Sequence, residues 1–261
     1  MPTLLAVSRS CSLLLAAGLV LLAGSASAIT LDFEGLVNGE NPNPTGGTAG
    51  TFLFATPIAN VTIGSPDLAG VAAFDTSTTG PNAGGPDPDL LVDSGIALIV
   101  QNMNVTTQTV PGIFDTPNDD PGDNLISVVF DQAVTVLSLD VIDINGNGPA
   151  EVRLRDSAGL VRLYDLTMNF TGDPVDGFPG ILTLDTLLEA DQVGVGPLLS
   201  GGATPMAFFS EDAGFDPTDV VGIDYNLFGS GALDNLVFVP EPGTALLLGL
   251  GLAGLAHRPR R

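Results

Sequence analysis

The chain has 261 residues, of which 30 are acidic and 7 are basic, and it contains no lysine. Its formal net charge of −23 disfavours binding to nucleic acid phosphates and to anionic lipid, and it attracts divalent cations. The single cysteine, Cys11, and the single histidine, His257, lie near the two ends, which excludes histidine or thiolate catalysis, Schiff-base lysine chemistry and zinc sites from the middle of the chain.

The first 28 residues have the order of a secretory signal peptide. One basic residue, Arg9, precedes an apolar run over residues 13–23, and small residues follow up to Ala28. This apolar run is about half of the roughly 20 residues that a membrane-spanning helix needs. We therefore expect cleavage after Ala28, with Ala26 and Ala28 as the small residues of the cleavage site. The alternative is an uncleaved amino-terminal anchor.

Residues 29–239 are predicted to form one exported all-β domain, jelly-roll-like and built as a β-sandwich. This part of the chain holds 29 acidic residues against 3 arginines and no cysteine, so it cannot contain a disulfide. Short apolar runs separated by glycine and proline indicate strands joined by turns. The predicted strands are 29–33, 51–55, 71–74, 97–101, 125–130, 134–142, 150–155, 160–166, 220–225 and 232–239.

Two tight hairpins are predicted from turn residues. Asp131-Gln132 separates two strand-like runs, and residues 156–159 separate two more, with Gly159 suited to a positive φ. In the second hairpin, alternation predicts that the apolar residues face one side of the sheet and the arginines face solvent on the other. The apolar set is Val152, Leu154, Val161 and Leu163, and the arginines are Arg153, Arg155 and Arg162.

A calcium-binding loop is suggested by Asp143-Ile144-Asn145-Gly146-Asn147-Gly148, which matches the first half of a D-x-[DN]-x-[DN]-G motif. The twelfth position is Leu154 rather than glutamate, and predicted strands flank the loop, so the segment is not an EF-hand. Asp143, Asn145 and Asn147 are therefore candidate ligands of a loop site that other segments complete.

Two further acidic loops offer ligands to complete such a site, because hard cations take several oxygen ligands. The candidates in these loops are Asp87, Asp89, Asp119, Asp120 and Asp123. Aspartates in loops rich in glycine and proline are also common turn formers, and surface acidity keeps exported proteins soluble, so both alternatives stay open. Asp32 and Asp234, on the first and last predicted strands, form a second candidate pair.

The last 22 residues combine three parts in order. Pro240, Glu241 and Pro242 form a rigid polar tripeptide, residues 244–256 carry no charge, and the chain closes with three arginines among its last four residues. Positive charge resists translocation, so this end is expected to stay in the cytoplasm. The tail is thus predicted to be a single, weak and temporary transmembrane anchor in the inner membrane.

This tail, VPEPGTALLLGLGLAGLAHRPRR, resembles the PEP-CTERM sorting signal of Gram-negative bacteria that make extracellular polysaccharide. The resemblance implies that exosortase, a membrane-embedded cysteine transpeptidase, recognises Pro240, Glu241 and Pro242 and removes the helix. It also implies the secretion machinery as a partner and makes extracellular polysaccharide a candidate partner. The alternative is an ordinary tail anchor with a chance Pro-Glu-Pro sequence.

Together these patterns predict an exported protein that is held briefly in the inner membrane and then reaches the cell surface or the extracellular space. We expect a non-enzymatic structural or adhesive role, with calcium as a structural ion. A calcium-dependent, lectin-like module is the first alternative, although tryptophan is absent and Tyr164 and Tyr225 are the only tyrosines. A carboxylate-based glycosidase is the second alternative.

Overall fold

The computed structural model describes residues 27–43, 50–66, 70–143, 150–166, 180–188, 192–193, 206–229 and 231–241. These residues form an all-β fold, as predicted, and the one helical element among them is a three-residue 3₁₀ turn, Pro88–Leu90. The strands are β1 Ile29–Leu31, β2 Thr51–Ala55, β3 Asn60–Gly64, β4 Val71–Asp75, β5 Ile96–Val100, β6 Asp123–Ile142, β7 Glu151–Asp156, β8 Val161–Asp165, β9 Ile181–Asp185, β10 Gln192–Val193, β11 Met206–Glu211, β12 Val220–Phe228 and β13 Ala232–Pro240.

The strand β6, which is 20 residues long, organises the sheet. Its first half lies between β3 and β12, and its second half lies between β9 and β13. All the described strands therefore belong to one hydrogen-bonded sheet, with β6 common to two arms. The first arm runs through β2, β3, β6, β12, β7, β8, β11 and β10, and the second through β9, β6, β13, β5 and β4, with β1 also paired to β13.

The two arms enclose a common apolar core, so the fold is sandwich-like although its strands form a single sheet. One cluster of buried residues includes side chains from both arms. The rings of Phe130 on β6 and Phe238 on β13 are 5.2 Å apart, and those of Phe33 and Phe54 are 5.5 Å apart. Since Phe33 follows β1 and Phe54 lies on β2, this second contact joins the outer parts of the two arms.

The predicted hairpin at Asp131-Gln132 is wrong, because β6 continues through both residues. The strand is held in line on both sides: Val134 pairs with Val220 of β12 and with Pro240 of β13. The register of β12 shifts between Val220 and Gly222, so the extra residues of β6 form an irregularity in the ladder instead of a turn. Asp131 has a different use, since its carboxylate accepts hydrogen bonds from the Asn60 main-chain N–H and side-chain amide.

The second predicted hairpin is confirmed, and Gly159 adopts φ +83° while its N–H donates to the Asp156 carbonyl. The predicted orientation of β8 is wrong, however. Because Arg162 lies opposite Leu154, which faces the core, Arg162 and Tyr164 point inward and Val161 and Leu163 point outward.

Arg162 is 2% exposed, and contacts in the interior offset the cost of burying its charged guanidinium. Its Nε and one terminal nitrogen donate to Glu211, and the other terminal nitrogen donates to the Thr186 carbonyl at 2.7 Å. The rings of Phe209 and Phe215 lie 5.1 and 4.8 Å from the guanidinium carbon. These contacts supply both hydrogen-bond acceptors and cation–π attraction.

We expect Arg162→Ala to lower the free energy of unfolding by about 3 kcal/mol, because it leaves polar acceptors without a donor and opens a gap between two rings. Urea unfolding of the purified protein measures this. Arg153→Ala is the matched control, since Arg153 is half exposed and its ion pair with Glu151 contributes about 0–1 kcal/mol. Equal losses for the two variants would contradict the structural role given to Arg162.

Candidate functional site

Two of the predicted acidic loops meet at Asp87 and Asp119. The main-chain N–H of Asp119 donates to Asp87 Oδ2 at 3.1 Å, and a bridge between Gln101 and Asp119 fixes this loop beside β5. Asp119 is buried, and its Oδ2 accepts a hydrogen bond from the Gly231 N–H at 2.9 Å. Burial, followed by the charges of Asp119 and Asp89, raises the pKa of Asp87 to about 8.

The structure also brings Asp143 to this place. Asp143 is fully buried at the end of β6 and adopts φ +51°. Its carbonyl oxygen would lie 3.2 Å from a Cβ at Gly231, so the main chain approaches closely there and Gly231 links Asp119 to Asp143. We call Asp87, Asp119 and Asp143 the Asp119 cluster.

The other predicted ligands differ in where they lie relative to the Asp119 cluster. Asp89 acts on the Asp119 cluster through its charge, whereas Asp120 accepts a hydrogen bond from Gly122 N–H within its own loop. The backbone of Asp123 pairs with Phe228 at the start of β6, and its side chain is outside the described part of the structure. Asn145 and Asn147 lie outside the described residues. Within the described ranges, no three histidine, cysteine, aspartate or glutamate side chains are arranged to hold a metal ion.

A second acidic group, which the sequence did not predict as a unit, surrounds Asp234. This fully buried carboxylate accepts hydrogen bonds from Ser94 Oγ at 2.5 Å and from the Asn235 N–H at 2.7 Å. The side chain of Asn235, at φ +46°, also donates to Asp140 at 2.9 Å. Asp32, the predicted partner of Asp234, is exposed and accepts the main-chain N–H of Glu34.

Burial raises the pKa of Asp234 to about 7, although the hydrogen bonds from Ser94 and Asn235 act in the opposite direction. The charges of Asp140 and Glu34 add to the increase. Nearby, Tyr225 is fully buried, and desolvation together with the charge of Asp140 raises its pKa well above 10. The buried carboxylates of Asp234 and Asp140 are thus stabilised by O–H and N–H donors from Ser94 and Asn235.

The third feature is the end of β13, where the predicted sorting residues begin. Phe238 pairs with Ile29 of β1 and with Val136 of β6, and Pro240 is the last residue of β13. Glu241 follows immediately and is partly exposed, and Pro242 lies outside the described residues. Ala28, just before the start of β1, is exposed, whereas Ala26 lies outside the described residues.

Comparison with protein families matches residues 238–261 to the PEP-CTERM protein-sorting motif. The chain therefore carries a PEP-CTERM sorting signal, as predicted from Pro240, Glu241 and Pro242, and this signal implies export and processing by exosortase. No curated protein matches the chain. In the described part of the structure, no helix has the length and apolar character needed to cross a membrane; residues 1–26 of the predicted signal peptide and residues 242–261 of the predicted anchor lie outside that part.

We expect the protein to become less stable as the pH rises from 5 to 8. Between the ordinary aspartate pKa of 3.8 and about 7, folded Asp234 binds a proton that the unfolded chain releases, so folding takes up a proton. The free energy of unfolding falls by at most about 1.4 kcal/mol per pH unit for each such group, and the loss is complete above the folded pKa. Urea titrations at several pH values measure this slope.

Asp234→Asn should reduce the slope between pH 5 and 7. Asp216→Asn is the control, because hydrogen bonds from Thr218 lower the pKa of Asp216 and keep it ionised throughout this window. A wild-type slope in Asp234→Asn would contradict the assignment of the proton to this carboxyl.

Proposed function

We propose that this chain is an exported, non-enzymatic β-sandwich protein, processed by exosortase and delivered to the cell surface or extracellular matrix in a structural or adhesive role. The observation that carries the proposal is the match of residues 238–261 to the sorting motif, which begins within the last strand, β13, of a folded domain. In this proposal the sandwich-like arms are jelly-roll-like, and residues 240–261 form the temporary inner-membrane anchor that exosortase removes.

The boundaries of the fold support removal of both ends. The strand β1 begins at Ile29, the first residue after the predicted signal cleavage site, and β13 ends at Pro240, the first residue of the sorting tripeptide. Residues 29–239 thus include nearly all of the residues that the described sheet needs. Cleavage at the two predicted positions leaves the core intact.

A non-enzymatic role is supported by the way the buried acids are used. Asp119 and Asp234 accept main-chain hydrogen bonds, and Asp140 accepts hydrogen bonds from Thr183 and Asn235, so these carboxylates join loops and strands to each other. Residues 29–239 also contain no histidine, cysteine or lysine. A glycosidase would instead require two carboxylates facing a common substrate space.

Calcium is proposed as a structural ion at the Asp119 cluster. Burial first and then the charge of Asp119 raise the pKa of Asp87, and a divalent cation would offset both the desolvation and the repulsion between the two carboxylates. Main-chain oxygens are accepted calcium ligands, so the nearby Asp143 carbonyl adds to the donor set. Bound calcium would join the 87–90 turn, the loop before β6 and the end of β6.

A calcium-dependent, lectin-like module is the second candidate, favoured by the outer face of the first arm. There Ser127 donates to Asp224, which also contacts Arg155 at 3.5 Å, and the Arg155 guanidinium lies over Gly222. This gives a polar patch of hydroxyl, carboxylate and guanidinium groups on the sheet face, which suits the hydroxyl groups of an extracellular polysaccharide.

Replacing Glu241 tests exosortase processing. We expect Glu241→Gln, expressed in the producing bacterium, to keep the full tail and accumulate in the membrane fraction, because the recognised tripeptide loses its charge. Glu151→Gln is the matched control, since it removes one acid from β7, outside the sorting tail, and should be processed normally. Mass analysis of the carboxyl terminus reports the result, and normal processing of Glu241→Gln would overturn the proposal.

Thermal unfolding tests the calcium site. Excess calcium should raise the melting temperature of the exported protein by several degrees relative to a chelator, because a ligand specific to the folded state stabilises it. Asp119→Asn should abolish the increase, and Asp120→Asn should retain it, because Asp120 binds within its own loop. Identical melting curves with calcium and with chelator would rule out a stabilising site.

A further inference from the structure

The sorting motif follows the sheet without a linker. Phe238 is fully buried with its ring 5.2 Å from that of Phe130, Val239 pairs with Thr135, and Pro240 pairs with Val134. Glu241 is the first residue beyond the strand. An enzyme that binds the Pro-Glu-Pro sequence therefore works within one or two residues of a hydrogen-bonded sheet.

The strands on either side of the end of β13 form the surface that such an enzyme would contact. Because β6 is antiparallel to β13 and Val134 lies opposite Pro240, residues 131–133 of β6 extend in the direction in which the tail leaves. Neighbouring strands are about 4.8 Å apart. On the other side, β1 begins at Ile29, opposite Phe238. We call Ile29 and residues 131–133 the β13 rim.

The rim is both exposed and fixed in place. Asp131 and Gln132 are exposed, and the Asp131 carboxylate accepts two hydrogen bonds from Asn60, at 2.8 and 2.6 Å. These bonds tie the rim to the first residue of β3. The rim is therefore a defined surface beside the motif, and it keeps its position when a partner approaches.

Moving the motif away from the rim is costly. The end of β13 would have to leave the sheet, which exposes the buried ring of Phe238 to water and breaks main-chain pairing with β6. Binding to the docked strand avoids this cost, so the folded arrangement is the form that a processing enzyme meets.

We propose that exosortase contacts the β13 rim of the folded domain in addition to Pro240, Glu241 and Pro242. The inference rests on the proposed function and extends it, because it gives the transpeptidase a second contact surface formed by β1 and β6. Signal-peptide removal after Ala28 also places the new α-amino group of Ile29 on this rim, next to the end of β13. Recognition thus depends on the fold as well as on the tripeptide.

The test uses the full chain in the producing bacterium and follows loss of the tail by mass after a pulse of synthesis. Gln132→Tyr adds bulk to an exposed rim position and should slow processing roughly threefold or more by obstructing the contact. Asn104→Tyr is the matched control at an exposed loop position near the opposite end of β13, and it should be processed at the wild-type rate. Equal melting temperatures of the purified variants confirm that both fold.

A second experiment distinguishes loss of the rim contact from slower folding. A flexible linker of about six glycine and serine residues, inserted between Val239 and Pro240, moves the motif away from the rim. In that background Gln132→Tyr should have no effect on the rate. Wild-type processing of Gln132→Tyr, or equal slowing with and without the linker, would overturn the proposal. If Glu241→Gln is still processed, the exosortase assignment fails; if only the rim variants behave like wild type, the assignment stands and the rim contact fails.

Discussion

The continuity of β6 is the constraint on which the rest of the structure depends. Its first half belongs to the ladder of β3 and β12, and its second half belongs to the ladder of β9 and β13. The two arms can therefore close on one core only while β6 is unbroken. Both candidate sites also depend on it, since Asp143 lies at its end and residues 131–133 lie at its central irregularity.

The second constraint is the small number of basic side chains. With 29 acids and 3 arginines in residues 29–239, most carboxylates cannot find a basic partner. The buried ones use N–H and O–H donors instead: Asp234 uses Ser94 and Asn235, and Asp119 uses Gly231. Burial raises the pKa of Asp234, so this carboxyl binds a proton more readily in the folded protein, which connects the acidity of the sequence to the pH dependence of stability.

The sequence predicted the all-β class and most strands, because short apolar runs bounded by glycine and proline carry that information locally. It missed β3, β9, β10 and β11. A signal was present in β3 and β9, where Val61 and Ile63, and Leu182 and Leu184, alternate with polar or smaller residues and are buried. These strands are five residues long, and such short alternation is weak until the neighbouring strand is known.

The wrong hairpin at Asp131-Gln132 and the wrong orientation of β8 have a common physical cause. The local sequence predicts a turn at Asp131-Gln132, but the pairing of Val134 with strands on both sides overrides that preference. Alternation predicts that Arg162 faces solvent, but its position opposite Leu154 places it inside, where Glu211 and the Thr186 carbonyl accept hydrogen bonds from its guanidinium. Pairing register and partners distant in sequence decide both cases, and neither is visible in a local window. The Asp119 cluster was predicted only as separate loops for the same reason, since Gly231, which joins them, is 112 residues from Asp119.

The adjacency of β1 and β13 explains how processing at two ends can leave a stable domain. Ile29 pairs with Phe238 and Leu31 pairs with Leu236, so the residues next to the two predicted cleavage points hold each other in the sheet. The buried ring of Phe238 against Phe130 then anchors this pair to β6. The start of β1 and the end of β13 lie at the same end of this antiparallel pair, so the proposed removal of both terminal segments would leave the paired core strands in place.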